Sequence, residues 1–231
     1  MNAMILAAGR GTRLGTLGQT TPKILVELEG EPLLARQIRY LRSGGVERIV
    51  LNAHHLAERV QSFVSAHPRG SEVEVVVEPE LLGTAGGVRN ALALLGDEPF
   101  VVLYGDVVID ESIDAIGHTH RRAGAVATLT VYEAEEVEGK GTVRIATDGT
   151  VTAFHEKASA HVDGRAYVNA GLYVLDPSLV AGLPAGIPLD FGHNVFPAAL
   201  ARGERIAAHI LPAPVIDIGT PAALDLARAT L

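Results

Sequence analysis

The chain has 231 residues, of which 48% are hydrophobic and 20% charged, the composition of a folded protein with a substantial core. Its formal net charge of −8 argues against binding to nucleic acid or to an anionic membrane, so any phosphate site must be local. Cysteine is absent, which excludes disulfides, thiolate metal sites and cysteine nucleophiles. The N-terminus lacks a basic segment before a long apolar run, and no apolar run reaches about 18 residues. We therefore expect a cytoplasmic protein without a membrane partner; a homo-oligomer is compatible with these features.

Short apolar runs and helical patterns alternate over the first half of the chain. This alternation implies right-handed crossovers and a mostly parallel sheet flanked by helices, which is an α/β architecture. The predicted strands are 4–7, 48–53, 72–78 and 99–106, and the predicted helices are 32–43, 55–65 and 85–95.

The rhythm changes from about residue 125, where strands dominate. Asp148-Gly149 lies between two alternating runs, which is a strong hairpin signal. Residues 166–176 form either a strand pair or one bent strand, so this half is predicted to be mixed and partly antiparallel. A short helix at 196–203, late strands at 205–211 and 215–219 and a closing helix at 221–231 follow. We expect one domain, 1–231, with two subregions of about 1–124 and 125–231.

The segment "LAAGRGTRL", residues 6–14, follows the first predicted strand. Ligands of open α/β sheets bind beyond the carboxyl ends of the strands. Gly9 and Gly11 let backbone N–H groups approach an anion, Arg13 adds a bidentate donor, and Lys23 supplies a compact positive charge nearby. The spacing fits neither the Walker pattern nor GxGxxG, because Leu14 stands where the third glycine would be. The loop is predicted to bind a polyphosphate; on glycine spacing alone, a plain strand-to-helix turn remains the alternative.

Residues 6–34, "LAAGRGTRLGTLGQTTPKILVELEGEPLL", closely resemble the signature of the sugar-1-phosphate nucleotidyltransferases. That signature is L-A-x-G-x-G-T-R-L followed by T-x-x-x-P-K and G-x-P-L, and the resemblance continues more loosely to the C-terminus. It implies a nucleotide-diphospho-sugar transferase fold, which combines a Rossmann-like sheet with a mixed sugar-binding subregion. Residues 1–124 would then bind the nucleotide, and residues 125–231 would bind the sugar phosphate.

The resemblance implies a nucleotide site at the glycine-rich loop. Arg13 and Lys23 would be the catalytic cations that neutralise charge on the transferred group. "ELLGTAGGVRNAL" resembles the family's base-contacting segment and assigns Gly83 and Thr84 to the nucleobase, with a helix N-cap as the alternative for Thr84. The implied nucleotide-binding residues are Leu6, Ala8, Gly9, Gly11, Thr12, Arg13, Gly83 and Thr84.

Two aspartates resemble the family's metal-binding positions. Asp106 lies in "LYGDVVID" and Asp217 in "VIDIGTP", and together they would hold a Mg²⁺ ion, which prefers oxygen ligands. Asp110 competes with Asp106, but its position beyond the strand predicts a helix cap. For Asp217 the alternative is a cap or turn carboxylate.

The resemblance also implies a sugar-phosphate site in the second half. "FHEKAS" matches a family segment in which Lys157 would grip the sugar phosphate and Glu156 a sugar hydroxyl, although Ala158 stands where the family usually has proline. Asn169 in "VNAGLYVLD" would face the sugar, and Gly141 would approach it.

The implied reaction converts a nucleoside triphosphate and a sugar 1-phosphate into a nucleotide sugar and pyrophosphate. The segments at 82–86, 190–197 and 216–221 favour a guanylyltransferase for mannose 1-phosphate or a heptose 1-phosphate. The alternative is a uridylyltransferase for an amino-sugar 1-phosphate such as N-acetylmuramate 1-phosphate. Longer family members append a hexapeptide-repeat β-helix, which we do not expect here, because the sequence ends after the last predicted helix.

Two other classes of protein fit the residues less well. A non-catalytic sensor on this fold would have lost its charged site residues, yet Arg13, Lys23, Asp106, Lys157 and Asp217 are all present. A dinucleotide-dependent dehydrogenase needs a third glycine in its first loop and an acidic residue after the second strand, where this chain has Asn52.

Overall fold

A computed structural model describes residues 1–156 and 166–230 of the chain. In its first half, strands and helices alternate as the sequence predicts. Their bounds are β1 Ala3–Leu6, α1 Thr16–Thr20, β2 Glu27–Leu28, β3 Glu31–Pro32, α2 Leu33–Ser43, β4 Ile49–Ala53, α3 Ala57–Ala66, β5 Val73–Val77, α4 Gly83–Leu95, β6 Phe100–Tyr104, β7 Val107–Val108 and α5 Ile113–Ala123.

The second half is richer in strands, and Asp148-Gly149 does form a hairpin turn between antiparallel strands. A π-helical turn at Phe191–Val195 leads into a short helix. The bounds are β8 Ala127–Ala134, β9 Thr142–Ile145, β10 Val151–His155, β11 Ala166–Leu175, α6 Ser178–Ala181, α7 Phe196–Ala201, β12 Ile206–Ile210, β13 Ile216–Asp217 and α8 Pro221–Thr230.

One large twisted sheet organises the described residues. Strands β6, β1, β4 and β5 are parallel neighbours in that order, which is the Rossmann-like half. β11 pairs antiparallel with β6 and with β8, and β8 pairs parallel with β12. On the side where the end of β11 pairs with β6, its first residues pair with β9, and β9 pairs with β10. This arrangement confirms the α/β prediction and shows residues 166–175 as one irregular strand, with a register shift between Asn169 and Tyr173.

Helices cover both faces of the sheet because alternate strand residues point to opposite sides. Met4 packs in one apolar cluster with residues of α4, such as Val88. Its neighbour Ile5 packs in a second cluster with residues of α2 and α5, such as Ile38 and Ile116. Burying each such aliphatic side chain contributes about 1.5–3 kcal/mol. Within the described ranges, no helix is long and apolar enough to cross a bilayer.

Two local predictions are wrong. Strand β6 ends at Tyr104 rather than running on to Asp106. Asp110 is not the cap of the following helix, because the Ser112 side chain at the N-cap of α5 accepts a hydrogen bond from Ala115 N at 3.3 Å. A hydroxyl or carboxylate caps a helix only from the residue immediately before its first turn, and Asp110 lies two residues too early.

Candidate active site

The glycine-rich loop leaves β1 and turns back sharply. Gly11 has a φ of +63°, and a one-turn 3₁₀ helix at Thr12–Leu14 follows it. Gly18 packs against the Gly11 carbonyl so closely that a Cβ there would collide with it. At the start of the loop, Ala7 N donates a hydrogen bond to Asn52 Oδ1 at 2.8 Å. These contacts fix both ends of the loop and leave Gly9, which has open space around it, exposed to a ligand.

A cavity of about 340 Å³ opens beside this loop, at the carboxyl ends of the parallel strands. It brings together seven of the residues that the sequence assigned to the site. These are Leu6, Ala8, Gly9, Lys23, Gly83, Thr84 and Asp106. Thr12 lies outside this cavity and borders an adjacent hollow with Arg10 and His55.

The two aspartates assigned to the metal lie side by side because a small antiparallel sheet joins their segments. Asp217 of β13 pairs with Val107 of β7, next to Asp106, and Ile218 N donates to the Asp106 carbonyl at 2.9 Å. Lys23 lies between the carboxylates, with its Nζ 2.5 Å from Asp106 Oδ2 and 3.8 Å from Asp217 Oδ1. The sequence separates these charges widely, and the fold brings them to one point.

Arg13 reaches the same point from the glycine-rich loop. Its neighbour Leu14 packs in one apolar cluster with Ile218, so the loop and the β13 segment are held together. A Cβ on Gly219 would lie 3.1 Å from an Arg13 guanidinium nitrogen and 2.7 Å from Asp217 Oδ1. The Gly219 N–H also donates to Asp217 Oδ1 at 2.5 Å. Only a glycine leaves room for the arginine and the carboxylate together.

The surroundings of Asp217 disfavour its charged form, although cations lie nearby. Burial and the nearby Asp106 charge raise the pKa of Asp217, and Lys23, the Gly219 N–H and Arg13 only partly oppose this. Paired carboxylate oxygens are the donors that Mg²⁺ prefers, and this ion keeps water and phosphate oxygens in the rest of its shell. In the part of the chain that the structure describes, no cluster of three or more potential metal ligands occurs. The donor set at Asp106 and Asp217 therefore fits Mg²⁺ held jointly with a phosphate ligand.

The segment that the sequence assigns to the base forms the start of α4 at the edge of the cavity. Gly83 has a φ of +71° and is the first residue of the helix, with Leu82 at the N-cap. Thr84 is therefore not the N-cap, and that alternative is wrong. Asp190 supplies the capping acceptor instead: its Oδ1 accepts from Thr84 N and from Thr84 Oγ1, both at 3.1 Å.

A buried polar network, which the sequence analysis did not identify, connects the glycine-rich loop to the start of α4. Asn52 Nδ2 donates to Glu78 Oε1 at 2.7 Å, and Glu78 Oε2 accepts from Leu82 N at 3.1 Å. Asn52 also accepts the hydrogen bond from Ala7 N. The buried side chains of Asn52 and Glu78 therefore connect the glycine-rich loop to the start of α4. Gly87 makes this possible, because a Cβ there would meet Asn52 Nδ2 at 2.6 Å.

The residues assigned to the sugar gather on the β11 side of the fold. Asn169 N donates to the Gly141 carbonyl at 2.9 Å, and Asn169 Nδ2 donates to the Tyr173 hydroxyl at 2.7 Å. Glu156 lies against Gly192, where a Cβ would collide with its carboxylate. Lys157 lies outside the described residues.

Tyr104 lies between the residues assigned to the sugar and the cavity beside the glycine-rich loop. The sequence analysis did not identify this residue. Its side chain lines the cavity and interacts with the hydroxyls of Tyr173 and Thr84. Burial raises the pKa of Tyr104 well above its ordinary value, so the hydroxyl stays protonated. Gly171, with a φ of +76°, lets the ring pass, because a Cβ there would be 3.1 Å from it.

Comparison with known proteins agrees with this geometry. A family profile described as nucleotidyl transferase matches residues 2–231. Mannose-1-phosphate guanylyltransferase catalytic subunit beta of Drosophila pseudoobscura pseudoobscura is 34% identical over 223 residues, which cover 95% of this chain and 59% of that protein. UTP–glucose-1-phosphate uridylyltransferase of Synechocystis sp. is 31% identical over 234 residues, which cover 95% of this chain and 60% of that protein. The chain thus spans about three fifths of the length of these relatives.

A solved structure is similar over nearly its whole length. The crystal structure of HddC from Yersinia pseudotuberculosis complexed with GMP-PN superimposes with a TM-score of 0.84 at 28% identity, covering 99% of this chain and 98% of that one. The sequence signature, the cavity geometry and the family match agree, and the chain belongs to the nucleotidyl transferase family.

Proposed function

We propose that this chain transfers a nucleotidyl group from GTP to mannose 1-phosphate or a heptose 1-phosphate, giving a GDP-sugar and pyrophosphate. The observation that carries the proposal is the meeting of Lys23, Asp106 and Asp217 at the mouth of the glycine-loop cavity, with Arg13 beside them. The guanine nucleotide is supported by the similarity to guanylyltransferases and to a protein solved with GMP-PN.

In this reaction, a phosphate oxygen of the sugar 1-phosphate forms a bond to the α-phosphorus, and the bond to the β-phosphate oxygen breaks as pyrophosphate leaves. The nucleophile is already an anion, so no general base is required. The obstacle is repulsion between two polyanions, which positioned cations relieve. Lys23 and Arg13 would bind the phosphates, and Asp106 and Asp217 would hold Mg²⁺. When bound, Mg²⁺ would neutralise phosphate charge and orient the reacting groups.

The second candidate is a uridylyltransferase. It is favoured by the similarity to the Synechocystis UTP–glucose-1-phosphate uridylyltransferase, and it includes the amino-sugar phosphates considered from the sequence. For either nucleotide we propose a cytoplasmic location. The chain has no cysteine, so it forms no disulfide and needs no oxidising compartment.

A pyrophosphate-release screen tests the proposal. The wild-type chain is assayed with Mg²⁺ and GTP, UTP, ATP or dTTP, each against mannose, heptose, glucose and N-acetylmuramate 1-phosphates. We expect GTP with mannose or heptose 1-phosphate to give the highest kcat/KM. UTP as the preferred nucleotide would establish the second candidate, and no turnover in any combination would leave the binding-only alternative.

Two variants examine the site within the same screen. Lys23→Ala and Asp106→Ala should each lower kcat by about 10²–10³-fold, the usual cost of removing one charge-stabilising group from a transition state. Arg39→Ala is the control, because Arg39 is 64% exposed and pairs with Glu31 away from the cavity. Near-normal turnover of either site variant at saturating substrate would contradict the assignment.

A further inference from the structure

Asp190 has one carboxylate oxygen that the fold does not use. Its Oδ1 accepts both hydrogen bonds from Thr84, and its backbone N–H donates to Asn194 Oδ1 at 2.8 Å. Within the described ranges, its Oδ2 has no hydrogen-bond partner, and the residue lines the nucleotide cavity. Asp190 is half-buried, and a free carboxylate oxygen on a residue that lines a cavity can accept a hydrogen bond from a hydroxyl group.

The segment around Asp190 is rigid, so this oxygen has a fixed position. The Leu189 carbonyl accepts from Ala85 N at 2.8 Å and from Gly86 N at 3.0 Å. Phe191 N donates to Thr84 Oγ1 at 2.9 Å. These bonds clamp residues 189–191 onto the first turn of α4. A preorganised acceptor of this kind loses little conformational entropy when it binds a ligand.

Asp190 bonds directly to Thr84, which the sequence assigns to the base, and through Thr84 it is connected to the residues assigned to the sugar. Thr84, its hydrogen-bond donor, interacts with Tyr104, which interacts with Tyr173, which in turn accepts from Asn169. Two residues beyond Asp190, Gly192 lies against the Glu156 carboxylate. Asn169 and Glu156 are the residues assigned to the sugar, and Asp190 continues the same polar wall.

The carboxylate of Glu78, unlike that of Asp190, is fully hydrogen-bonded. Asn52 and Glu78 bond to each other and accept hydrogen bonds from the backbone N–H groups of Ala7 and Leu82. That network holds the loops together and leaves no oxygen of the Glu78 carboxylate without a bond.

We propose that Asp190 is a specificity-determining residue for the sugar: its Oδ2 accepts a hydrogen bond from one hydroxyl of the sugar 1-phosphate. The chain would then select aldose 1-phosphates that carry this hydroxyl over the corresponding deoxy sugars. A substrate without the hydroxyl would cover this carboxylate oxygen without giving it a hydrogen bond, which is how polar sites reject such analogues. This inference rests on the proposed transfer to a sugar 1-phosphate.

The test measures kcat/KM for mannose 1-phosphate and for its 2-, 3-, 4- and 6-deoxy analogues, with GTP saturating. For the wild type we expect one analogue to be disfavoured by roughly 10- to 100-fold relative to the others. In Asp190→Ala that selectivity should fall to within about threefold. Asp190→Asn keeps an acceptor for Thr84 and should show an intermediate loss, so it tests the inference even if the alanine variant folds poorly.

Asp148→Asn is the matched control. Asp148 also accepts from the N–H and the hydroxyl of one threonine, Thr150, but it does so with both carboxylate oxygens and in the exposed hairpin turn. It should retain wild-type selectivity.

Three results would overturn the inference while the proposed function stood. The wild-type enzyme could use all four deoxy analogues equally well, or the Asp190 variants could keep the wild-type selectivity. An Asp190 variant could instead change the preference for GTP over ITP, which would place the carboxylate at the base. Failure of the wild type to turn over any sugar 1-phosphate would overturn the proposed function itself.

Discussion

Gly192 determines where the Glu156 carboxylate can lie. A Cβ at this position would collide with that carboxylate and with the Phe154 ring. Gly192→Ala must therefore displace the Glu156 carboxylate from its position beside residue 192. We expect the KM for the sugar 1-phosphate to rise about tenfold, the KM for GTP to stay unchanged, and the free energy of unfolding to fall by about 1–3 kcal/mol.

Gly182→Ala is the control for this change. Gly182 has a φ of −79°, and a Cβ there would meet nothing within 4 Å. Its substitution should be neutral or stabilise the chain by up to about 1 kcal/mol, because alanine restricts the unfolded chain. Steady-state kinetics and urea unfolding measure both variants. Unchanged sugar KM in Gly192→Ala would show that Glu156 does not contact the sugar.

Helix α5 carries a histidine whose burial makes stability depend on pH. His120 is buried between α5 and β8, where its Nδ1 lies 3.1 Å from Thr128 Oγ1. Burial lowers the pKa of His120, Asp176 raises it and Arg121 lowers it further, with burial the largest effect. The unfolded chain therefore binds a proton near pH 6.5 while the folded chain does not. The stability contributed by neutral His120 is complete above about pH 6.5 and is lost as the pH falls below it.

His120→Gln should consequently flatten the loss of unfolding free energy between pH 7 and pH 5.5. The slope removed is at most about 1.4 kcal/mol per pH unit, the linkage of one proton. His118→Gln is the matched control, because His118 lies exposed on the same helix and should leave the slope unchanged. Urea unfolding at a series of pH values measures both. Equal slopes for all three proteins would show that the folded chain protonates His120 without cost.

At the level of elements, the sequence predicted what local pattern determines. Short apolar runs located β1 and β4, and helical patterns located α2 and α4, all within about two residues. For helix α5 the sequence analysis predicted only a cap, wrongly at Asp110, and gave no bounds, although Ser112 and Gly124 were available signals for its two ends. The bond between Asp190 and Thr84 could not be predicted, because the two residues are 106 positions apart and no spacing rule links them.

At the scale of the whole molecule, the site is assembled from distant parts of the chain. The cavity is lined by the loop after β1, the turn at Lys23, the start of α4, the turn after β6 and the segment before α7. β13 adds Asp217 from near the C-terminus. The net charge of −8 means that phosphate binding depends on a few local cations against an unfavourable overall field. A nucleotide bound here would connect these parts and should stabilise the whole fold.

Thermal unfolding tests this expectation. GTP with Mg²⁺ at about 100 times its dissociation constant should raise the free energy of unfolding by about 2.7 kcal/mol, which corresponds to roughly 5–11 °C for a chain of this size. The Mg²⁺-dependent part of the shift should disappear in a variant combining Asp106→Asn and Asp217→Asn, because amides lack the charge that holds the ion beside the phosphates. Asp148→Asn should keep the full shift, since that side chain lies in the β9–β10 turn. An undiminished Mg²⁺ contribution in the double variant would place the ion elsewhere and remove these two aspartates from the metal site.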